Sequence, residues 1–447
     1  MKDYFSKRDS SNVVLAFCLV AFGVLANPWL LEYLSLGTIS LRGKIFLGLC
    51  EFFLIISGLL VYFKGNTPEG RKRLFFGFIA AALVVLITEA GLHLINFVIK
   101  GRAPDEISLL FRGNEWGKIL EKETFEIKKV FVPFVEWGIE EYHGKYVNIN
   151  SEGIRKTWNP QFSHGEKFKT IYTFGPSTLW GVGARDEYTI PSHLSKMLDN
   201  NGYDFIVYNY GELAYVFTQQ IVQLALLLKE GHRPDYVLCY EGAVDIYAAY
   251  QSGAPGIINP NVLKEAWGHN ISSSSAASLV LRGIHKGVVT ILSNSMIYKA
   301  IGNSAIPFSP QQKFPEVGSK YNDNQLRLLS QATVKDYLKS MDLLNHLADV
   351  YDFKYAIFWQ PCIYTKEELT NEEKQSDRRV NDRNYIKFYQ LTANSLVAAS
   401  PPHFFDISGV FSNDTKKYYG DITHISEEGN EKVADIIFRK FEKEFLR

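Results

Sequence analysis

The fold class predicted by this sequence is an α/β three-layer sandwich on a five-stranded parallel sheet, preceded by an all-helical apolar region. Three observations predict it. Five short runs rich in β-branched and aromatic residues recur between residue 166 and the C-terminus, helical patterns fall between them, and the first hundred residues hold long apolar stretches instead. Strands that alternate with helices argue for a parallel sheet covered on both faces.

The apolar stretches come first. Val13–Ala26 is unbroken and continues less purely to Leu31, Ile45–Phe63 is interrupted by Glu51, and Leu74–Ile87 continues as a pattern to Ile99. A membrane helix needs about 20 largely apolar residues. The reading is therefore a transmembrane region over 1–100, with helices at about 12–34, 44–64 and 74–99. Lys2, Lys7, Arg8, Lys64, Arg71, Lys72 and Arg73 outweigh Arg42, Lys44, Lys100 and Arg102. That bias puts the N-terminus in the cytoplasm and everything after about residue 101 outside. A cleaved signal peptide ending at Val24-Leu25-Ala26 is the alternative, and it leaves the same outward-facing domain. Glu51, Glu89 and His93 are ionisable groups in apolar segments. They are functional suspects by default, but positions near the interface explain them more simply.

Residues 101–165 read as a connecting region, with a strand-like stretch after Gly144 and a turn at Ser151-Glu152-Gly153. The domain proper is 166–447. Its expected strands are Thr170–Phe174, Phe205–Tyr208, Tyr236–Tyr240, Tyr355–Trp359 and Phe404–Ile407. Its expected helices are Pro191–Asp199, Gln219–Glu230, Val334–Val350, Asn384–Ala398 and Glu427–Phe445. The gap from 248 to 334 exceeds a simple crossover, so an insertion is expected there, with helices near Ala276–Leu292 and Met296–Ile301.

Composition sets outer limits. The formal net charge is zero, with 21% charged and 46% hydrophobic residues, so the basic excess of a nucleic-acid binder is missing. The four cysteines form neither a CxxC pair nor a Cys/His cluster, and no metal or other cofactor is expected. Cys239 and Cys362 are expected as buried thiols, with a disulfide between them as the less common outcome.

Ligands of open α/β sheets bind beyond the carboxyl ends of the strands. After the first strand, Gly175-Pro176-Ser177-Thr178 turns the chain and exposes a serine suited to act as nucleophile. After the second come Asn209 and Gly211, and after the third Gly242 and Asp245. Each block also fits an ordinary turn or helix cap. Before the last helix stands Asp421-Ile-Thr-His424, a carboxylate and an imidazole spaced for a general base and its orienter.

Taken in order, these blocks resemble the SGNH (GDSL-like) hydrolase family over about residues 166–447. The Ser block reads like that of a branch with GxST, whose fourth strand ends in Gln-Pro, here Gln360-Pro361. The resemblance implies a flavodoxin-like sheet, Ser177 as nucleophile, His424 as base and Asp421 as its orienter. It implies that the N–H groups of Ser177 and Gly211 hold the oxyanion. The family's third donor, an Asn, is replaced by Val244, so Asn209 and Gln360 are candidates to substitute. Gly242, Asp245 and Gln360 are candidates for substrate contact. The expected activity is a membrane-tethered, extracytoplasmic serine esterase that removes O-acyl groups, acetyl among them, from an envelope glycan or glycolipid. Acyl transfer through the same acyl-enzyme is an alternative. A non-catalytic binding or assembly subunit of an envelope polysaccharide machine is another, and Val244 favours it. Membrane lipid and an acylated glycan or lipid-linked substrate are the expected partners.

Overall fold

The computed structural model describes residues 10–25, 41–64, 114–161, 167–258 and 316–447, with positions 27, 67, 69, 70, 72 and 110. Helices α1 (Ser10–Leu25) and α2 (Leu41–Lys64) lie in one compact unit and pack against each other. Small residues allow the close approach: a Cβ on Gly58 would stand 2.9 Å from the Ala16 carbonyl oxygen. Phe17, Phe22, Phe52, Phe53 and Phe63 are all more than half exposed.

Among the described residues no helix is long and apolar enough to cross a membrane. The spans expected at 12–34 and 44–64 are therefore not met by these helices. The reason is local. Helix α1 has 16 residues and ends before Asn27, which gives about 24 Å against a hydrocarbon core of about 30 Å. Helix α2 has 24 residues, about 36 Å, with Arg42, Lys44 and Lys64 near its ends and Glu51 as the one charge inside its apolar stretch. Glu51 accepts hydrogen bonds from the Asn27 amide at 3.1 Å on both carboxylate oxygens. The third expected span, with Glu89 and His93, lies outside the described residues.

The second unit is Pro104–Ile271 with Phe314–Arg447. It opens with α3 (Glu115–Glu126) and two short antiparallel pairs, β1 (Lys129–Val130) with β2 (Gly138–Ile139) and β3 (Tyr142–His143) with β4 (Asn148–Ile149). There follow β5 (Lys169–Phe174), α4 (Ser177–Trp180), α5 (Ile190–Asn200), β6 (Phe205–Asn209), α6 (Phe217–Lys229), β7 (Tyr236–Glu241) and α7 (Ala243–Ser252). The remainder is α8 (Asp323–Tyr351), β8 (Lys354–Trp359), α9 (Arg383–Ala399), β9 (Phe404–Asp406) and α10 (Glu427–Phe441).

The main sheet has five strands in the order β6-β5-β7-β8-β9, and every pairing is parallel. This is the flavodoxin-like 2-1-3-4-5 order, whose switch point falls beside the first and third strands. Helix coverage explains the strand composition. The central strand β7 is buried at all six positions, whereas the edge strand β6 alternates. Helices α5 and α10 pack on each other, and α6 and α9 both pack on α8. The two groups form the outer layers, and Leu198, Ile437, Leu224 and Leu344 belong to one continuous core.

Three expectations need correction. Residues read as a connector belong to this unit. Arg155 makes backbone bridges to Ile149 and Asn209, and the fully buried Trp137 donates its indole N–H to the Leu213 carbonyl at 2.9 Å. The helix expected from Val334 starts at Asp323. Asn322 and Gln325 form a reciprocal capping box that is polar in sequence and easily taken for loop. The insertion is accordingly shorter at both ends, and its expected helices near 276–292 and 296–301 lie outside the described residues. Cys239 and Cys362 are buried free thiols.

Candidate active site

The site is built by two loops that sit 247 positions apart in sequence. Strand β5 delivers Gly175 into a gap that only glycine fits. A Cβ there would stand 2.6 Å from Leu179 Cβ and 2.8 Å from the Tyr240 carbonyl oxygen. Pro176 then caps a single helical turn, Ser177–Trp180, which ends at Gly181 with φ 101°. Ser177 is its first residue, where a backbone N–H has no intrahelical acceptor.

The other loop folds back on itself through a bridge between Tyr419 and Ile425. Asp421 Oδ1 accepts the backbone N–H groups of Thr423 at 2.8 Å and His424 at 2.7 Å. Its Oδ2 meets His424 Nδ1 at 2.6 Å, and His424 Nε2 meets Ser177 Oγ at 2.8 Å. Burial alone would raise the Asp421 carboxyl. The nearby imidazole, its ring hydrogen bond and the two backbone N–H groups overcome that and hold it well below the usual carboxylate range. An ionised Asp421 fixes the tautomer in which Nδ1 carries the proton, leaving Nε2 free to accept one from Ser177.

The other expected residues occupy different positions in this arrangement. A Cβ on Gly211 would stand 2.7 Å from the Trp180 backbone nitrogen, so glycine alone lets this strand end lie against the turn that carries Ser177. Its N–H donates to Asn209 Oδ1 at 3.0 Å. Asn209 is fully buried, and its amide nitrogen donates to the Trp180 carbonyl at 3.2 Å. Asn209 therefore ties two loops together, with both its amide oxygen and its amide nitrogen engaged. Gln360 is different, because its amide nitrogen is buried without a hydrogen-bond partner among the described residues and is free to donate. It is buried, and its carbonyl oxygen accepts the Thr178 hydroxyl at 2.8 Å, which anchors the residue next to Ser177. Gly242 has φ 132°, and a Cβ there would press on the Trp359 ring at 3.0 Å, so its role is the turn itself. Asp245 caps α6 by accepting the Phe217 N–H at 3.0 Å. These contacts give Gly242 and Asp245 structural work at the site, while Gln360 also carries an amide nitrogen with no partner among the described residues.

Sequence reading missed two buried charges that hold the loops. The Arg155 guanidinium, fully buried, donates to the carbonyls of Trp180 at 3.0 Å, Gly181 at 2.7 Å and Ala184 at 2.6 Å. It also pairs with Asp186 at 3.0 Å and stacks 4.2 Å from the Trp180 ring. Glu373, paired with the buried Lys366 at 2.7 Å, accepts the N–H groups of Tyr418 at 2.9 Å and Tyr419 at 3.1 Å. The first clamp fixes the serine turn and the second fixes the segment entering the Asp-His loop. Neither stands out in sequence, since Arg155 precedes Lys156 and Glu373 lies in the charged run KEELTNEEK that reads as a solvated surface.

The second unit is thus a flavodoxin-like α/β domain that carries a hydrogen-bonded Ser-His-Asp triad at the sheet's switch point. No family model and no curated protein matches the chain. Among solved structures it is similar to an acetyl xylan esterase at 13% identity and TM-score 0.33, over 61% of this chain and 98% of that one. It is similar to a psychrotrophic esterase from Pseudoalteromonas sp., solved with monoethylphosphonate as inhibitor, at 12% identity and TM-score 0.29, over 62% and 100%. A member of the lipolytic G-D-S-L family from Veillonella parvula is similar at 10% identity and TM-score 0.33, over 62% and 99%. Likenesses this loose carry no argument about chemistry, which rests on the triad.

Proposed function

We propose that this protein is a serine ester hydrolase of the SGNH type, tethered to a membrane and acting on O-acyl groups of an envelope glycan or glycolipid. One observation carries the hydrolase reading: the unbroken relay from Ser177 Oγ through His424 to Asp421, with contacts of 2.8 and 2.6 Å. In the proposed cycle Nε2 of His424 takes the Ser177 proton as Oγ attacks the ester carbonyl. The Ser177 N–H faces the oxyanion that forms. The imidazolium, held by Asp421, then protonates the departing sugar oxygen. Water, deprotonated by the same imidazole, attacks the acyl-enzyme, and the imidazolium returns that proton to Ser177 Oγ as the acyl–oxygen bond breaks and the acid leaves. The membrane part is supported by the exposed phenylalanines of α1 and α2, an apolar surface of the kind that marks lipid or protein contact.

Val244 and the Gly211 N–H engaged by Asn209 favour a second reading, a non-catalytic subunit that binds an acylated glycan. Labelling the purified chain with a fluorophosphonate probe separates the two. The hydrolase reading expects stoichiometric labelling that Ser177→Ala abolishes. No labelling of folded wild type supports the binding role. Ester release measured with and without a sugar acceptor then distinguishes hydrolysis from acyl transfer.

A further inference from the structure

A serine and an imidazole borne by loops so distant in sequence need something that sets the gap between them. Arg155 holds the serine turn and Glu373 holds the entry to the histidine loop, but neither touches both. One ion pair does. Arg185 follows the serine turn, and Glu427 is the first residue of α10, three beyond His424. Arg185 Nε donates to Glu427 Oε1 at 2.9 Å and one terminal nitrogen donates to Oε2 at 2.7 Å, a two-pronged contact. The Arg185 backbone N–H adds a third bond to Oε1 at 3.0 Å. The guanidinium lies 4.4 Å from the Trp116 ring centre and 4.0 Å from that of Tyr188, so the fork has little freedom to swing. Both side chains are largely covered, at 25% and 14% exposure.

We infer that Arg185 and Glu427 are a positioning pair that sets the Ser177–His424 contact across the two loops. The rest of the path is stiff. From Ser177 it runs through a turn whose carbonyls Arg155 holds. From His424 it reaches Glu427 through Ser426, which caps α10 by accepting the Gly429 N–H at 3.2 Å. An aspartate at 427 would keep the charge but fall one methylene short of the fork. A reacting geometry displaced by about 1 Å costs on the order of a hundredfold in rate, so loosening the pair acts on the acylation step and not on probe binding.

The inference rests on the hydrolase reading, and its test uses the same fluorophosphonate. Maximal labelling rate and half-saturating probe concentration are measured for wild type, Glu427→Gln, Glu427→Asp, Arg185→Met and the double variant Arg185→Met/Glu427→Gln. All rates are taken at a temperature where each protein is shown to be folded. Each single variant is expected to lose about tenfold or more in maximal rate, with half-saturation within about twofold of wild type. The double variant is expected to be no slower than the slower single one, as for two halves of one device. Glu428→Gln, which removes the exposed pair with Lys416, is the control and keeps the wild-type rate. Single variants at the wild-type rate, or a double variant whose loss is the product of the two, would overturn the pair while leaving the hydrolase reading intact. A folded wild type that takes no label would overturn both.

Discussion

Replacing Asp421 by asparagine tests the triad through hydrogen-bond geometry alone, because the two side chains have the same shape. Asp421 Oδ1 accepts two backbone N–H groups, at 2.8 and 2.7 Å. An asparagine that turned its NH2 toward them would leave two donors unpaired, at about 1–3 kcal/mol each. The amide oxygen therefore stays on the backbone side, and the NH2 faces His424 Nδ1 across the 2.6 Å contact. An NH2 there needs an acceptor, so Nδ1 gives up its proton and Nε2 carries it instead. That tautomer points an N–H at Ser177 Oγ and cannot take the serine proton. The expected loss in maximal labelling or turnover is on the order of 10⁴, equivalent to about 5.4 kcal/mol of barrier. Half-saturation should change little. Stopped-flow or time-sampled labelling with the fluorophosphonate, alongside a thermal melt to confirm the fold, measures it. An Asp421→Asn variant that labels within about tenfold of the wild-type rate would refute the tautomer argument and the assignment of His424 as base.

The pH dependence of stability follows from buried acids. Burial raises Glu212 to about 8 and Asp245 to about 7, and it pushes Glu241 well above the ordinary range, helped by the nearby Asp245. Acids with raised folded values hold protons that the unfolded chain has released, so these three groups cost stability as pH rises from about 5 toward 8, against a smaller opposite contribution from the buried His193, lowered to about 4. The melting temperature at pH 8 should lie at least about 4 °C below that at pH 5. Glu241→Gln should shrink that difference, and a melting temperature that rises across this interval would contradict the argument. Arg155→Met should cost about 3–5 kcal/mol in urea unfolding, since it strands a buried Asp186 and three carbonyls; a cost under about 1 kcal/mol would mean water replaces the guanidinium. Gly211→Ala, whose Cβ would meet the Trp180 nitrogen at 2.7 Å, should cost about 1–3 kcal/mol by overpacking. It should also displace the turn that carries Ser177, read as a labelling rate at least about tenfold below wild type at a temperature where the variant is folded.

Strand positions were legible because a fully covered parallel strand has nothing but apolar, β-branched or aromatic neighbours to satisfy. Tyr236–Tyr240 and Tyr355–Trp359 read that way, and β7 and β8 extend each by a single residue. The triad residues were legible for a related reason: Ser177 follows a strand at a glycine turn, and Asp421 and His424 are close enough in sequence to be seen as a pair. The start of α8 was not legible, because the Asn322–Gln325 capping box looks like a polar loop until the helix is there to be capped.

The order of strands and helices, and the residue types at the sheet's carboxyl edge, are written in the chain itself. Both depend on preferences that act over a few positions, namely backbone conformation, side-chain period and turn chemistry. The work of the buried polar groups emerged only once the chain was packed. Asn209 ties Gly211 to Trp180 instead of facing an oxyanion, Asp245 caps α6, Gln360 holds Thr178, and Arg155 anchors the turn of Ser177. Each of those roles is a choice of hydrogen-bond partner. A buried polar group takes whichever complementary atom the packed chain brings within about 3 Å, and for these residues that atom lies as few as two and as many as 182 positions away.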